Sequence, residues 1–530
     1  MNRNNNEYMN EQPITTSKRL VYNTFFNVGA LMSNAVIGFF LIRFFLSQLG
    51  EVRYGVWLLI GGSIFRYAPL LSVGLNSSIN RYIPLYLAKN NEEGIQRVIN
   101  TSLFSFIILS LVLVITSVVL YYNVGSWFAI EEPQLVKTAG TLVLVVGFCF
   151  AFAMPLQPST AVLSGLQRYD IINLVMLAVL LLRTTLVVIL LLQGYGLLTT
   201  GVVFGLSEIA MRVLHSVFVR KLLPAASLSL AKIDFRLLRE MLAYGINTFL
   251  YAMGAIIIYH ASNLIIGIFM GPAQISQFAI ATAGVLLLSQ LLQAFTAAIK
   301  PAVSDLDARD DEAKVKEIAL LTQKYSLLLI IPSGCFLIAM GREFLWVWVG
   351  EKFQDPAVIN TMGAILAILA TGHCLWLAQY SNFLVLVGRG QHKIFGVLTA
   401  ITALLCVLAS VVSVKVFNWG LLGIAWSNFL PIALTSGVIL PIYFYWKMRI
   451  SAFESVRSVW RPAFLGSLPA VAMIIAWKYA APPNSWLGIG GVVIAAMALT
   501  FISGWFFSLK KVEQKRFVHI ALRKKDSGQD

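Results

Sequence analysis

Runs of about twenty apolar residues, separated by short polar stretches, recur along the whole chain. They fall at about 20–46, 54–80, 98–121, 136–162, 171–193, 197–219, 240–269, 276–300, 320–341, 357–385, 394–417, 420–446, 462–480 and 487–508. Each run is continuous, without the alternation of a barrel strand over about ten residues, so the pattern predicts helices that cross a bilayer. Fourteen such spans occupy most of the 530 residues and leave no room for a large domain outside the membrane. The first run follows an Asn-rich polar stretch ending in Lys18 and Arg19, and it lacks the short apolar core and small-residue cleavage site of a signal peptide. It is expected to remain as the first helix.

Short motifs repeat at an offset of about 220 to 224. Asn23-Thr24-Phe25 opens the first span and Asn247-Thr248-Phe249 the seventh; Ala88 to Glu92 recurs as Ala308 to Glu312; Gly165-Leu166-Gln167 recurs as Gly388-Arg389-Gly390-Gln391. Six helices return the chain to its starting side, so two six-helix lobes follow, parallel and related by an axis along the membrane normal. The expected organisation is a tail at 1–19, an N-lobe at 20–219, a linker at 220–239, a C-lobe at 240–446, two added helices within 447–508, and a basic tail at 509–530.

Composition supports this reading, with 58% hydrophobic and 12% charged residues and a mean hydropathy of +0.78. The net charge of +16 would suggest nucleic acid in a soluble protein. Here thirty of the forty Lys and Arg fall on alternate loops and on the two tails, which places both termini in the cytoplasm and accounts for the charge without a nucleic-acid partner. Cys149, Cys335, Cys374 and Cys406 lie unpaired within apolar runs and read as small hydrophobes.

Leu49-Gly50, Tyr54-Gly55-Val56-Trp57, Ser63-Ile64, Pro69-Leu70-Leu71, Gly74-Leu75, Ser78, Arg81, Leu87-Ala88 and Glu93-Gly94 together resemble the opening segment of polysaccharide and O-antigen flippases of the Wzx type. These belong to the multidrug/oligosaccharidyl-lipid/polysaccharide (MOP) exporter superfamily. The fourteen-helix, two-lobe plan extends the resemblance over the whole chain. It implies an all-α, polytopic, MATE/MOP-like carrier of a polyprenyl-pyrophosphate-linked oligosaccharide, working by alternating access in the bacterial inner membrane. Implied partners are that lipid-linked glycan, membrane lipids and other polysaccharide assembly proteins. No cofactor, metal or catalytic residue is implied.

Charged groups at membrane depth cost about 2.5 to 3.5 kcal/mol on insertion scales, so they face a cavity or a partner. Arg66 and Arg183 fall near the middle of the second and fifth spans. Under the resemblance they would line a cavity and hold pyrophosphate in a bidentate fork; the alternative is an interior hydrogen bond to helix carbonyls or to Glu208. Glu208, Arg212 and His215, spaced by four and three, share one helix face. They read either as an ion pair beside a cytoplasm-facing His or as a proton-coupling site at Glu208. The second lobe offers Asn247 and Tyr251, then Gln290 and Gln293, then Gln379, Tyr380 and Asn382, with His260 and His373 inside spans. Such groups suit sugar hydroxyls and equally suit interhelical hydrogen bonds.

Two rivals remain. A multidrug or cation antiporter of the same superfamily needs a carboxylate at depth, where the chain supplies Glu208 against two central arginines. A glycan polymerase or glycosyltransferase needs acids or bases on a sizeable outer loop, and the longest, about 122–135 and 342–356, are short.

Overall fold

The structure, a computed structural model, describes residues 16–224, 229, 232–353, 355–391 and 393–515, without side chains for 16–28, 30, 247 and 248. The outer parts of both tails, part of the linker and the Asn247 side chain therefore lie outside the described residues. The protein is an all-α polytopic membrane protein. Its described residues form two compact units, Met1–Ser276 and Gln277–Asp530. The division follows the seventh apolar run, so in contact terms that helix goes with the first unit.

The first unit begins with α1, Thr16–Ile60, whose course is interrupted at Gly50 (φ 74°, ψ 171°), a conformation open to glycine. In a straight helix Phe45 and Tyr54 would stand about 13 Å apart along the axis. Their rings instead stack at 5.9 Å, and Phe45 also meets Trp57 at 6.4 Å. The chain therefore turns sharply at Gly50, and α1 is two helices that meet at this kink. This explains the count of 13 helices long and apolar enough to cross a membrane, the first being the 42-residue stretch Leu31–Ser72. Counted as two passages, one on either side of Gly50, this 42-residue stretch accords with the fourteen spans read from hydropathy.

The second apolar run, in which Pro69, Gly74 and Pro84 suggest a bend, is broken outright and is not the continuous helix over 54–80 that hydropathy alone suggests. The α-helix stops at Ile60, a 3-10 segment runs Ile64–Ser72, and α2 starts afresh at Leu75–Ala88. Pro69 lacks the N–H that a helix interior needs, and Val73 and Gly74 both take left-handed conformations (φ 44° and 81°). Gly74 also lies backbone to backbone with Gly245 of α8 (Phe235–Phe269), so that a Cβ on either residue would run into the other's carbonyl. One turn on, the Ser78 hydroxyl donates to the Met241 carbonyl. Gly74→Ala is expected to lower the melting temperature of the purified protein sharply. The left-handed conformation alone costs a non-glycine residue about 1–2 kcal/mol, and the collision with Gly245 adds to it.

The remaining helices of this unit are α3 (Glu92–Trp127), α4 (Pro133–Ala153), α5 (Pro158–Gly165), α6 (Tyr169–Leu192) and α7 (Leu197–Leu222). The Asn91 side chain caps α3 by accepting from Gly94 N at 2.8 Å. Small residues let α4 approach its neighbours: Gly147 rests on Ser117 of α3, and Gly201 and Gly205 of α7 rest on Leu142 and Cys149 of α4. Asp234 caps α8 by accepting from Arg236 N and Leu237 N at 2.9 and 3.0 Å, and these backbone donors hold its carboxyl below the usual range. The preceding linker is fastened to α3, where Asn100 Oδ1 accepts from Ser229 N and Thr101 Oγ1 accepts from Asp234 N.

The second unit holds most of α9 (Pro272–Thr296), then α10 (Ile299–Asp307), α11 (Glu312–Val349), α12 (Pro356–Ala378), α13 (Tyr380–Gly388), α14 (Lys393–Lys415), α15 (Gly420–Leu434), a π turn at Thr435–Ile439 and α16 (Leu440–Lys447). The added helices are α17 (Ala452–Ser455), continued through a π turn at Val456–Trp460 into α18 (Arg461–Ala480), and α19 (Trp486–Phe507). They pack on α11 through the cluster of Met340, Ala470, Ile474, Val492 and Ala496. Gly334 of α11 meets Cys374 of α12, so cysteines serve as small packing partners in both units.

The repeat extends to the backbone. Left-handed residues recur in pairs: Gly50 with Gly271, Asn90 with Asp310, Gln167 with Gly390, and Gly194 with Asn418. Asp311 caps α11 from Lys314 N at 3.1 Å, as Asn91 caps α3. Gly165 of α5 sits 3.4 Å from the Asn80 carbonyl, measured from an ideal Cβ, and Gly388 of α13 sits 3.1 Å from that of Lys300. All of these pairs are separated by 220 to 224 residues, the offset read from the sequence motifs.

Candidate functional site

Arg66 owes its setting to the 3-10 segment. With three residues per turn, side chains at i and i+3 eclipse. Phe65 and Ala68 accordingly share a buried edge, while Arg66 and Pro69 share an open one. The Phe65 ring packs against Phe150 (5.5 Å) on the buried edge, and just before the segment Asn263 of α8 donates its Nδ2 to Ser63 Oγ at 3.2 Å. Arg66 thus keeps more than a third of its surface accessible, although it lies within a mid-span segment of the first unit. Among the described residues, no side chain hydrogen-bonds or ion-pairs with its guanidinium.

Arg183 on α6 sits over the Phe204 ring of α7, its Cζ 4.0 Å from the ring centroid, and Phe204 in turn meets Trp57 at 4.6 Å. A cation–π contact of this kind holds the guanidinium in place without consuming its N–H donors. Arg183 too has no carboxylate at ion-pair distance among the described residues. Arg66, Arg183 and Glu208 lie within electrostatic reach of one another, and His260 of α8 lies within reach of Arg66.

Glu208 is engaged elsewhere. Its Oε1 accepts from Arg212 Nε and Nη2 at 2.9 and 2.7 Å, and both side chains are about one-fifth exposed. The remaining arm, Nη1, donates to Thr160 Oγ1 at 2.8 Å, and Thr160 lies 2.9 Å from His215 Nδ1. His215 does not face the cytoplasm as its position in the sequence suggested. It is 1% exposed, drawn in against Thr160 of α5. The ion pair follows from the i, i+4 spacing; nothing in the sequence singles out Thr160, some fifty residues away.

The other sequence candidates are placed as follows. Tyr251 is half-buried on α8. Gln290 and Gln293 belong to the second unit, on α9; Gln293 is exposed, and Gln290 Oε1 is a buried acceptor with no partner among the described residues. Gln379 and Asn382 are buried at the break between α12 and α13, where Asn382 Nδ2 donates to Gln379 Oε1 at 2.9 Å. His373 is 4% exposed, with Nδ1 2.9 Å from the Leu369 carbonyl. Sequence reasoning missed Lys324, counting it as a loop charge. It is 2% exposed on α11, and its Nζ donates to Glu513 Oε2 at 2.8 Å and to the Ser508 carbonyl at 3.0 Å.

Among the described residues, the first unit therefore holds two guanidiniums without a side-chain hydrogen-bond or ion-pair partner, within electrostatic reach of an acid that is already paired with a third arginine. Such an arrangement attracts an anion of two charges and repels cations.

A family model described as polysaccharide biosynthesis protein matches residues 87–358. Among solved structures, the lipid II flippase MurJ in an inward closed conformation superposes with a TM-score of 0.69 at 14% identity, over 91% of this chain and 98% of that one. An inward-facing multidrug resistance MATE family transporter of the MOP superfamily gives 0.59 at 17% identity, over 82% and 95%. A MOP superfamily transporter from Pyrococcus furiosus gives 0.55 at 16%, over 82% and 96%. At these identities the likeness is one of fold. No curated protein matches the chain in sequence.

Proposed function

Because the chain belongs to the polysaccharide biosynthesis protein family, we propose that it is a flippase, carrying a polyprenyl-diphosphate-linked oligosaccharide from the cytoplasmic to the outer leaflet of the bacterial inner membrane. The observation that carries this reading is the pair of unspent guanidiniums, Arg66 and Arg183, beside a Glu208 already bound by Arg212. The fold shared with MurJ and the MATE transporters supports transport by alternating access. In this reading the protein is a carrier without cofactor or catalytic residue. The cation-antiporter alternative would require Glu208 to be available to substrate, and Arg212 occupies it.

Deleting the gene tests the reading directly. A lipid-linked glycan should accumulate on the cytoplasmic face, and its absence, with export of the cell's glycans unchanged, would overturn the proposal. The orientation has its own test. Reporter fusions at Lys232, Lys314 and Arg457 should read cytoplasmic, and fusions at Val124, Glu351 and Asn484 periplasmic. An inverted result at any one position breaks the topology that puts both termini inside.

A further inference from the structure

Two interactions meet at one hydroxyl in the interior of the first unit. Arg212 Nη1 lies 2.8 Å from Thr160 Oγ1, and His215 Nδ1 lies 2.9 Å from the same oxygen. A guanidinium has donors only, so the hydroxyl accepts from Arg212, while its contact with His215 Nδ1 takes the direction that the imidazole tautomer sets. With one arm of its fork held there, Arg212 directs Nε and Nη2 at Glu208 Oε1. The hydroxyl therefore aims the fork as well as satisfying one of its arms.

What this aim protects is legible from charge. Glu208 lies within electrostatic reach of both Arg66 and Arg183, so a Glu208 released from Arg212 would compete for them with any anionic ligand. We propose that Thr160 is a positioning residue that holds Arg212 on Glu208 and so keeps the carboxylate from competing with substrate for Arg66 and Arg183. This rests on the diphosphate reading above and sharpens it. A diphosphate esterified at both ends carries two negative charges, matching two uncompensated guanidiniums, whereas a monophosphate diester carries one. The locked pair therefore makes the site select the diphosphate.

The test uses the full-length protein in lipid nanodiscs, with farnesyl-diphosphate-linked glucose as probe and its monophosphate counterpart for comparison. Wild type should bind the diphosphate probe more tightly, and Arg66→Ala should abolish that preference. Thr160→Val should weaken the diphosphate probe about tenfold and the monophosphate probe less, and Thr160→Ser should bind as wild type does. Adding Glu208→Gln to Thr160→Val should restore most of the loss, since a neutral amide still accepts from Arg212 but no longer competes. Arg212→Lys, which keeps the charge and loses the fork, should copy Thr160→Val and be rescued in the same way, so the test survives a poorly folding valine variant. Unchanged binding in both Thr160→Val and Arg212→Lys, or a loss that Glu208→Gln does not rescue, overturns the positioning role while Arg66-dependent binding leaves the diphosphate reading standing. Absence of any Arg66-dependent binding by wild type overturns both.

Discussion

Arg66→Ala is expected to abolish glycan export while leaving the protein inserted and abundant. Two charge-assisted hydrogen bonds from a guanidinium to phosphate contribute about 1.5–3 kcal/mol each, so their loss weakens substrate binding by about a hundredfold or more. Stability should change little, because the guanidinium sits on the open edge of the Ile64–Ser72 segment and no described side chain depends on it. Arg66→Lys should retain part of the activity, since the charge survives and the bidentate fork does not. Removing Glu208 together with Arg66 should not restore export, because the partner of Glu208 is Arg212. Recovery in that double variant would show that Arg66 serves to balance Glu208 and would remove it from the substrate site. Export is read from surface glycan, and abundance from the membrane fraction.

Lys324→Ala is expected to destabilise the protein by about 3–5 kcal/mol, the cost of leaving a buried charge without its partner. Lys324 is 2% exposed, its mate Glu513 is 11% exposed, and Tyr325 Oη also reaches Glu513 at 3.4 Å. The pair fastens the segment after α19 to α11. Glu513→Ala should cost a similar amount, and Lys324→Met combined with Glu513→Gln should recover most of it, because neither charge then remains to be compensated. Melting temperatures of the purified variants, with limited proteolysis of the C-terminal tail, check both results. Equal stability of the single variants and wild type would mean that water already serves these groups.

Hydropathy was enough to show the helical spans, and motifs at a fixed offset were enough to show the repeat, because both depend on side-chain type at known periods. Hydropathy could not show that the second span breaks at its centre. Gly61, Gly62, Pro69 and Gly74 are visible in the sequence, but whether they bend a helix or replace a stretch of it depends on what packs there. The answer lies in Phe65 on Phe150 and in Gly74 on Gly245. Depth alone picked out Arg66, Arg183 and Glu208, since a charge in an apolar run is conspicuous. Spacing alone suggested Glu208 with Arg212. Thr160, Phe204 and Lys324 were invisible for a common reason. A threonine, a phenylalanine and a lysine near the end of a span are ordinary residues, and only tertiary contact makes one a hydrogen-bond bridge, one a platform for Arg183 and one half of a buried ion pair.

The most direct test of the central claim is reconstitution. The purified protein is placed in liposomes with a fluorescent polyprenyl-diphosphate-linked oligosaccharide in one leaflet, and its arrival in the other is followed by accessibility to an impermeant quencher. The account predicts rapid transfer by wild type, transfer reduced to the protein-free rate by Arg66→Ala, and partial transfer by Arg66→Lys. Transfer at the protein-free rate by wild type, or transfer indifferent to Arg66, would contradict it.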